Sequence, residues 1–328
     1  MSQPAIRTNG LTKRYGSVRA IDGLELTVER GEVYGFLGPN GAGKSTTIDV
    51  LLDIVRPTAG SATVLGLDAR EDRAAVHDRI GVLPEDFDFY DRLSGLKHLR
   101  FAADLKGADE DPLALVDRVG LDREDAERAV GEYSQGMRKR LGLAIALIGE
   151  PDLLILDEPT NGLDPNGARE MRELVRAENE RGATVFFSSH VMSQVQAICD
   201  RVGIMNDGRL VAEDTIEGLR STVGGGATLT FEFDQPPAPA EVDLAGEEAV
   251  REVTAGEGSL SVTCTEPAAK FRVIDAVQAT GAEPRDLHVE ESSLEDLFAA
   301  YTVDDGGPAG EEAPAASNGA RDAVEVEP

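Results

Sequence analysis

The sequence predicts an α/β fold with a parallel-sheet core, joined to a small α+β unit on its C-terminal side. Three observations carry this expectation. Residues 153–156 and 184–188 are apolar runs without alternation, the pattern of strands buried on both faces of a parallel sheet. A glycine-rich turn follows the apolar run 33–37 and precedes a helical repeat, which reads as strand, loop, helix. Finally, the texture of the chain changes at Gly224-Gly225-Gly226, a natural linker.

Taken in order, residues 5–37 hold short alternating runs, with Leu24, Leu26 and Val28 on one face, and then the strand 33–37. After the turn, Ile48, Leu51, Leu52 and Val55 recur at helical spacing, and Pro57 is expected to stop that helix. From about 90 to 150 the pattern is mainly helical. Asp207-Gly208, between apolar runs at 202–205 and 210–212, reads as a hairpin turn. A first domain is therefore expected over residues 1–222, with a helical subdomain at about 86–150. Strands at 228–233, 250–254 and 260–264, a helix at 267–280 and a short helix at 294–301 make a small α+β domain over 227–303. Residues 304–328 are glycine, alanine, proline and acid with hardly any apolar periodicity, so they cannot offset their ordering entropy and are expected to be disordered.

The chain has 328 residues, 61 acidic against 32 basic, a net charge of -29, and 41% hydrophobic residues, enough for a folded core. Lysine stands only at Lys13, Lys44, Lys97, Lys106, Lys139 and Lys270. This composition resembles that of halophilic proteins, whose carboxylate surface is tolerable where molar salt shortens the screening length to about 3 Å. An acidic protein of ordinary salinity is the other reading. Either way, so negative a chain is not expected to bind nucleic acid. Cys199 and Cys264 have no metal-ligand spacing and read as buried, reduced thiols of a cytosolic protein. No apolar stretch follows the first residues, so no secretory leader is expected. The most apolar segment, 141–149, falls far short of the roughly 20 residues that cross a bilayer, so any membrane role must come from a partner.

Gly38-Pro39-Asn40-Gly41-Ala42-Gly43-Lys44-Ser45-Thr46 matches the phosphate-binding loop in its required strand, loop, helix context. Its glycines let backbone N–H groups turn toward phosphate oxygens, Lys44 bridges the terminal phosphates, and Ser45 offers its hydroxyl to Mg²⁺. Downstream, Leu153-Leu154-Ile155-Leu156-Asp157-Glu158-Pro159 is a buried strand ending in two carboxylates. Asp157 suits the metal's water shell, and Glu158 suits the polarisation of an attacking water. Between the two lies Tyr133-Ser134-Gln135-Gly136-Met137-Arg138-Lys139-Arg140, where Ser134 reads as the N-cap of a long amphipathic helix through Ile148.

The order of these motifs resembles the ATP-binding cassette family over roughly residues 5–220. That resemblance implies a P-loop NTPase cassette: a parallel-sheet core with an antiparallel β part and a helical subdomain. It implies ATP and Mg²⁺ as cofactors, Glu158, His190 and Lys44 as catalytic residues, and Ser45, Asp157 and Glu85 around the metal. Tyr15 is similar to the aromatic that stacks on adenine, although a lone Tyr also serves packing. Ser134, Gln135 and Gly136 are similar to the signature segment, usually Leu-Ser-Gly-Gly-Gln, which covers ATP held by the other subunit; Tyr133, Gln135 and Met137 are departures. Asn161-Gly162-Leu163-Asp164-Pro165 is similar to the loop that contacts the partner's site, with Asp164 the residue expected at the dimer contact. His190 is similar to the residue that senses the γ-phosphate, as a neutral or charged imidazole. Glu85 stands where most members carry Gln.

The implied assembly is a homodimer in the ATP-bound state, docked on an integral membrane permease at the cytoplasmic face of the cell membrane. Leu96, Leu99 and Ala103 make either a docking stripe for that permease or internal core. The segment from Glu291 to Phe298 is similar to the accessory region of drug- and antibiotic-type exporter subunits, which favours export over import. The alternative is a soluble cassette ATPase of translation or DNA repair, which usually carries tandem cassettes or a long coiled-coil insertion; neither is evident. A GTP-dependent switch would need an Asn-Lys-x-Asp segment, and there is none.

Overall fold

The computed structural model describes residues 3–222 and, beyond them, 227–234, 236–242, 244, 249–256, 258–265, 268–291 and 298. The expected linker at 224–226, the helix at 294–301 apart from Phe298, and the acidic tail at 304–328 lie outside the described residues.

Along the chain come β1 (Ile6–Tyr15), β2 (Val18–Val28), β3 (Val33–Leu37), α1 (Lys44–Leu51), β4 (Ala59–Val64), β5 (Leu67–Asp68), α2 (Arg73–His77) and β6 (Ile80–Leu83). A helical stretch follows: α3 (Gly95–Lys106), α4 (Pro112–Arg118), α5 (Arg123–Glu127) and α6 (Gln135–Ala146). The chain then returns to the sheet with β7 (Leu153–Asp157), α7 (Pro165–Glu180), β8 (Thr184–Ser189), α8 (Met192–Gln196), β9 (Arg201–Asn206), β10 (Arg209–Thr215) and α9 (Ile216–Thr222). The C-terminal part adds β11 (Ala227–Glu232), β12 (Val250–Gly256), β13 (Ser259–Cys264), α10 (Ala269–Ala279) and β14 (Asp286–Glu291).

Six strands form the central sheet in the order β10-β9-β3-β8-β7-β6, parallel except for β10. Its strands alternate their side chains between two cores, as the period of two requires. Val33, Leu37, Val185 and Phe187 join the core shared with the helical stretch, where Leu99, Val116 and Leu143 are fully buried. Tyr34, Phe36, Ile155 and Phe186 face the other way, toward the antiparallel sheet β2-β1-β4-β5 and its Ile6, Leu24 and Val64. Burial on both faces is the reason these strands read as unbroken apolar runs. A third sheet, β12-β13-β11-β14, is antiparallel throughout and carries its own apolar cluster, including Leu229, Phe231, Val262 and Val273.

Several expectations need correction. Helix α1 stops at Leu51 instead of running to Pro57. Asp53 takes a left-handed φ of 52°, its N–H donates to Val50 O, and Ile54 N–H donates to Asp49 O, so a Schellman-type turn ends the helix before proline matters. Helix α6 ends at Ala146, short of Ile148. Leu96, Leu99 and Ala103 are buried in the core and offer no docking stripe. Strand β14 was not expected; Leu287 and Val289 alternate with charged neighbours there, a signal that a short edge strand leaves weak. The hairpin at Asp207-Gly208 is present, with φ of 47° and 78°. Cys199 and Cys264 are buried and unpaired, and no described helix is long and apolar enough to cross a membrane.

Candidate active site

The central sheet aims its two chemically loaded strand ends at one place. Beyond β3, the chain turns through Gly38 to Gly43, and α1 begins at Lys44. A Cβ on Gly38 would stand 2.4 Å from Met205 O, and one on Gly43, at φ 104°, would stand 2.2 Å from Ala20 O. Only glycine lets the loop pack this close to β9 and β2. The Lys44 ammonium is buried and folded back into the loop, donating to Gly38 O at 2.7 Å and Pro39 O at 3.3 Å. Ser45 is exposed at the start of α1, so its hydroxyl is available from outside.

At the end of β7, Asp157 and Glu158 are buried, at 6% and 3% exposure, although both are acids. Ser188 on β8 holds them: its hydroxyl donates to Asp157 Oδ1 and accepts the Glu158 N–H at 3.1 Å. Glu158 takes a left-handed φ of 46°, a conformation that costs a non-glycine residue on the order of 1–3 kcal/mol and collects at functional sites. That backbone turn aims its carboxylate at the phosphate-binding loop. Glu158 Oε1 lies 3.6 Å from Lys44 Nζ and 3.0 Å from His190 Nδ1, yet neither this oxygen nor the imidazole nitrogen has an aligned hydrogen-bond partner. Buried polar atoms left in this state mark a place where a further group belongs.

A pocket of about 310 Å³ opens here, lined by Asn40, Gly41, Lys44, Ser45, Thr46, Glu85 and Glu158 among others. Pro39 and Gly43 also line it, whereas Ala42 is buried behind the loop. A larger cavity of about 460 Å³ lies at Arg118, Glu178 and Arg181, where both arginines already pair with Glu178, and it shares no residue with the phosphate loop. Tyr15 is half exposed at the end of β1, with Lys13 Nζ 4.7 Å from its ring centroid, and does not line the smaller pocket; Ala20 does. The donors expected around Mg²⁺, on Ser45, Asp157 and Glu85, are all oxygens, the hard set that suits that ion; Ser45 and Glu85 line this pocket and Asp157 does not, and among the described residues no three acidic, His or Cys side chains cluster as a metal site.

Ser134 caps α6, its hydroxyl accepting the Met137 N–H at 3.2 Å. A Cβ on Gly136 would meet only ordinary van der Waals contacts, Leu163 Cδ2 and Ser134 Oγ each 3.9 Å away. The chain's own packing therefore does not require glycine there. The departures from the family pattern have local reasons. Tyr133 is buried and donates its hydroxyl to Asp125 O at 2.8 Å, and burial pushes its pKa up. Gln135 lies against Gly162 and donates to Asn161 O at 3.4 Å; Asn161 Nδ2 in turn donates to Glu85 Oε1 at 3.1 Å. Asp164 caps α7, accepting the Gly167 N–H at 2.7 Å. Ser134, Gly136 and Asp164 share a second pocket, away from the phosphate loop.

Sequence reasoning gave no role to Ser188 or Lys139, and placed Asn161 only in the loop toward a partner. Lys139 is buried, at 5% exposure, and donates to Glu85 O and Glu158 O, each at 3.2 Å. Lys139 stands between Arg138 and Arg140, just ahead of the apolar run 141–148, and nothing in that basic triplet singles it out as the buried member.

The family profile described as ABC transporter matches residues 21–161. The daunorubicin/doxorubicin resistance ATP-binding protein DrrA of Streptomyces peucetius is 37% identical over 305 residues, covering 91% of this chain and 92% of that protein. The chain belongs to the ATP-binding subunits of ABC transporters. It is thus an ATPase that powers transport, and the non-transport reading is not favoured. The bacitracin transport ATP-binding protein BcrA of Bacillus licheniformis is 42% identical to this ABC subunit, over 66% of this chain and 71% of that one. A fluoroquinolones export ATP-binding protein of Mycobacterium tuberculosis is 46% identical, over 66% and 72%. Among solved structures, an ABC transporter ATP-binding subunit superposes with a TM-score of 0.61 at 26% identity, covering 67% of this chain and 93% of that one. A dimeric cassette bound to ADP and Pi superposes with a TM-score of 0.59 at 23% identity, which supports the shared fold.

Proposed function

We propose that this ABC subunit is the motor of an exporter for drug-like or antibiotic-like molecules, working as an ATP-bound homodimer on a separate permease at the cytoplasmic face of the membrane. The observation that carries the chemistry is the convergence of Lys44 and His190 on one oxygen of Glu158 at the mouth of the phosphate loop. A γ-phosphate entering there would take over Lys44 and His190. Glu158, released from both, would then face the attacking water as general base.

Ser45, Asp157 and Glu85 would hold Mg²⁺, which supplies charge neutralisation for the β- and γ-phosphates when bound. Gly136, a glycine that the chain's own packing does not require, beside the Ser134 cap, supports an interface in which a second copy lays its nucleotide against this helix start. Asp164, in the same pocket as Ser134, would lie at that interface. Tyr15 would stack on adenine from the exposed end of β1. Residues 1–222 would form the ATPase unit and 227–303 an accessory domain, and the net charge of -29 points to work in high salt. Export is supported by the names of the relatives, which concern drug resistance, bacitracin transport and fluoroquinolone export.

The test is recovery of Glu158→Gln protein from native membranes in high salt with Mg-ATP. Co-purification of a multi-spanning permease supports the reading. Recovery of ribosomal or DNA-repair proteins without a permease overturns it.

A further inference from the structure

Lys139 stands one and a half turns into α6, beyond the Ser134 cap, in a place where a positive charge is expensive. It is one of few buried cations among the described residues, and burial depresses its pKa against the pull of Glu85, Asp157, Asp86 and Glu158. Among the described residues no carboxylate comes within ion-pair distance of it. Its donors go instead to backbone carbonyls: Glu85 O after β6, and Glu158 O after β7, both at 3.2 Å. The Phe87 ring covers the ammonium at 5.4 Å from its centroid.

The helix reaches both loops because it is pressed onto the sheet. A Cβ on Gly142, one turn further along, would stand 2.6 Å from Leu83 Cδ1 and 3.1 Å from Phe87 Cζ, so glycine sets the depth of α6 against β6. At the start of the same helix, Gln135 adds a hydrogen bond to Asn161 O, and Asn161 Nδ2 holds the Glu85 side chain. The helix that starts at Ser134 is therefore tied to the loops bearing Glu85 and Glu158 at both ends of its first two turns.

We infer that Lys139 is a positioning residue, clamping the Glu85 and Glu158 loops to the signature helix so that these parts of one subunit move as a body. The inference rests on the reading of the chain as half of a paired cassette. In that pair, Glu158 serves the subunit's own ATP while Ser134 and Gly136 serve the partner's. A clamp between them makes closure over one nucleotide adjust the catalytic carboxylate beside the other, which is a coupling of two sites through a rigid element. Lys139 does not line the phosphate-loop pocket, and an unbranched apolar side chain such as Met would fill most of its space while leaving two carbonyls without their donor.

The experiment compares wild type, Lys139→Met and Lys139→Gln, the last returning N–H donors on a stem one atom shorter. Equilibrium ATP binding, kcat, and the Hill coefficient of hydrolysis are measured for each. The expected result for Lys139→Met is an ATP affinity within about threefold of wild type, with kcat lower by about 10- to 100-fold, the effect of a reacting group displaced by about 1 Å. The Hill coefficient falls toward one, and Lys139→Gln recovers part of both losses. A merely structural lysine would lower the folded fraction and leave the Hill coefficient of the remainder alone. Wild-type kcat and cooperativity in Lys139→Met overturn the inference, as does a kcat loss matched by an equal loss of ATP affinity. If Lys139→Met does not fold, Lys139→Gln decides by the same criteria. Each substitution is also placed on Glu158→Gln and its ATP-dependent pairing is followed by size-exclusion chromatography. Failure of Glu158→Gln itself to pair speaks against the paired cassette, whereas pairing with unchanged cooperativity in the Lys139 variants speaks against the clamp alone.

Discussion

His190 Nδ1 lies 3.0 Å from Glu158 Oε1, and the same oxygen lies 3.6 Å from Lys44 Nζ. One carboxylate oxygen thus occupies the space between the two groups best placed to receive a terminal phosphate. Glu158→Gln keeps the shape and removes the base. Turnover should fall on the order of 10²- to 10⁴-fold while ATP binding persists, measured by phosphate release and by equilibrium binding on the same preparation. Wild-type turnover in the variant would falsify the base assignment.

Glu85 accepts a hydrogen bond from Asn161 Nδ2, and its replacement by Gln retains an acceptor oxygen in that place. What changes is the charge near the expected metal. Glu85→Gln should raise the Mg²⁺ concentration needed for half-maximal nucleotide binding by about 3- to 10-fold, with the fold intact. Titration of Mg²⁺ against nucleotide binding, without hydrolysis, tests this; an unchanged midpoint removes Glu85 from the metal site.

Gly136 offers a prediction with opposite signs for stability and activity. It lies in helix α6 where a Cβ would meet nothing closer than 3.9 Å, so Gly136→Ala should stabilise the nucleotide-free subunit by about 0.5–1 kcal/mol. The same methyl group would overfill an interface with a second copy. Turnover should drop about 10- to 100-fold, equivalent to an overpacking cost of about 1–3 kcal/mol. Thermal unfolding and ATPase assays, run together, would refute the idea if both rose or both fell.

Asp22 ties the β9–β10 hairpin to β2. Hydrogen bonds from Arg19 and Arg209 hold its carboxyl below the usual carboxylate range of 3.8. A depressed folded pKa means that the unfolded chain takes up the proton first as pH falls. The stabilisation is therefore full above about pH 3.8 and is lost as pH falls through the lower, folded value. Asp22→Asn should be less stable than wild type at neutral pH, and the gap should close in acid; a gap independent of pH would mean the ion pairs contribute nothing.

The net charge of -29 makes salt a variable of the fold. Between about 0.1 M and 2 M KCl the screening length falls from about 10 Å to under 3 Å, so the melting temperature and turnover should both rise. A melting temperature flat across that range would favour the ordinary acidic reading.

How much of this could be read from the residues alone depends on whether the chemistry is local. The phosphate loop, the Asp157-Glu158 strand end and the Ser134 cap are contiguous words, and each carries its own backbone requirement, so the sequence by itself determined the family, the α/β core and which residues are candidates for the site. The alternation hidden in β14 and the Schellman turn at Asp53 were harder, because a short edge strand and a left-handed aspartate leave little periodic signal. Only the tertiary structure decided which groups meet: that Glu158 Oε1 faces His190 and Lys44, that Asn161 joins Glu85 to Gln135, that Leu96, Leu99 and Ala103 point inward, and that Lys139 bridges two loops 73 positions apart between residues 85 and 158. The physical reason is that a parallel sheet brings strand ends from distant positions to one edge, and the pairing across that edge depends on strand order and helix depth, which no local pattern encodes.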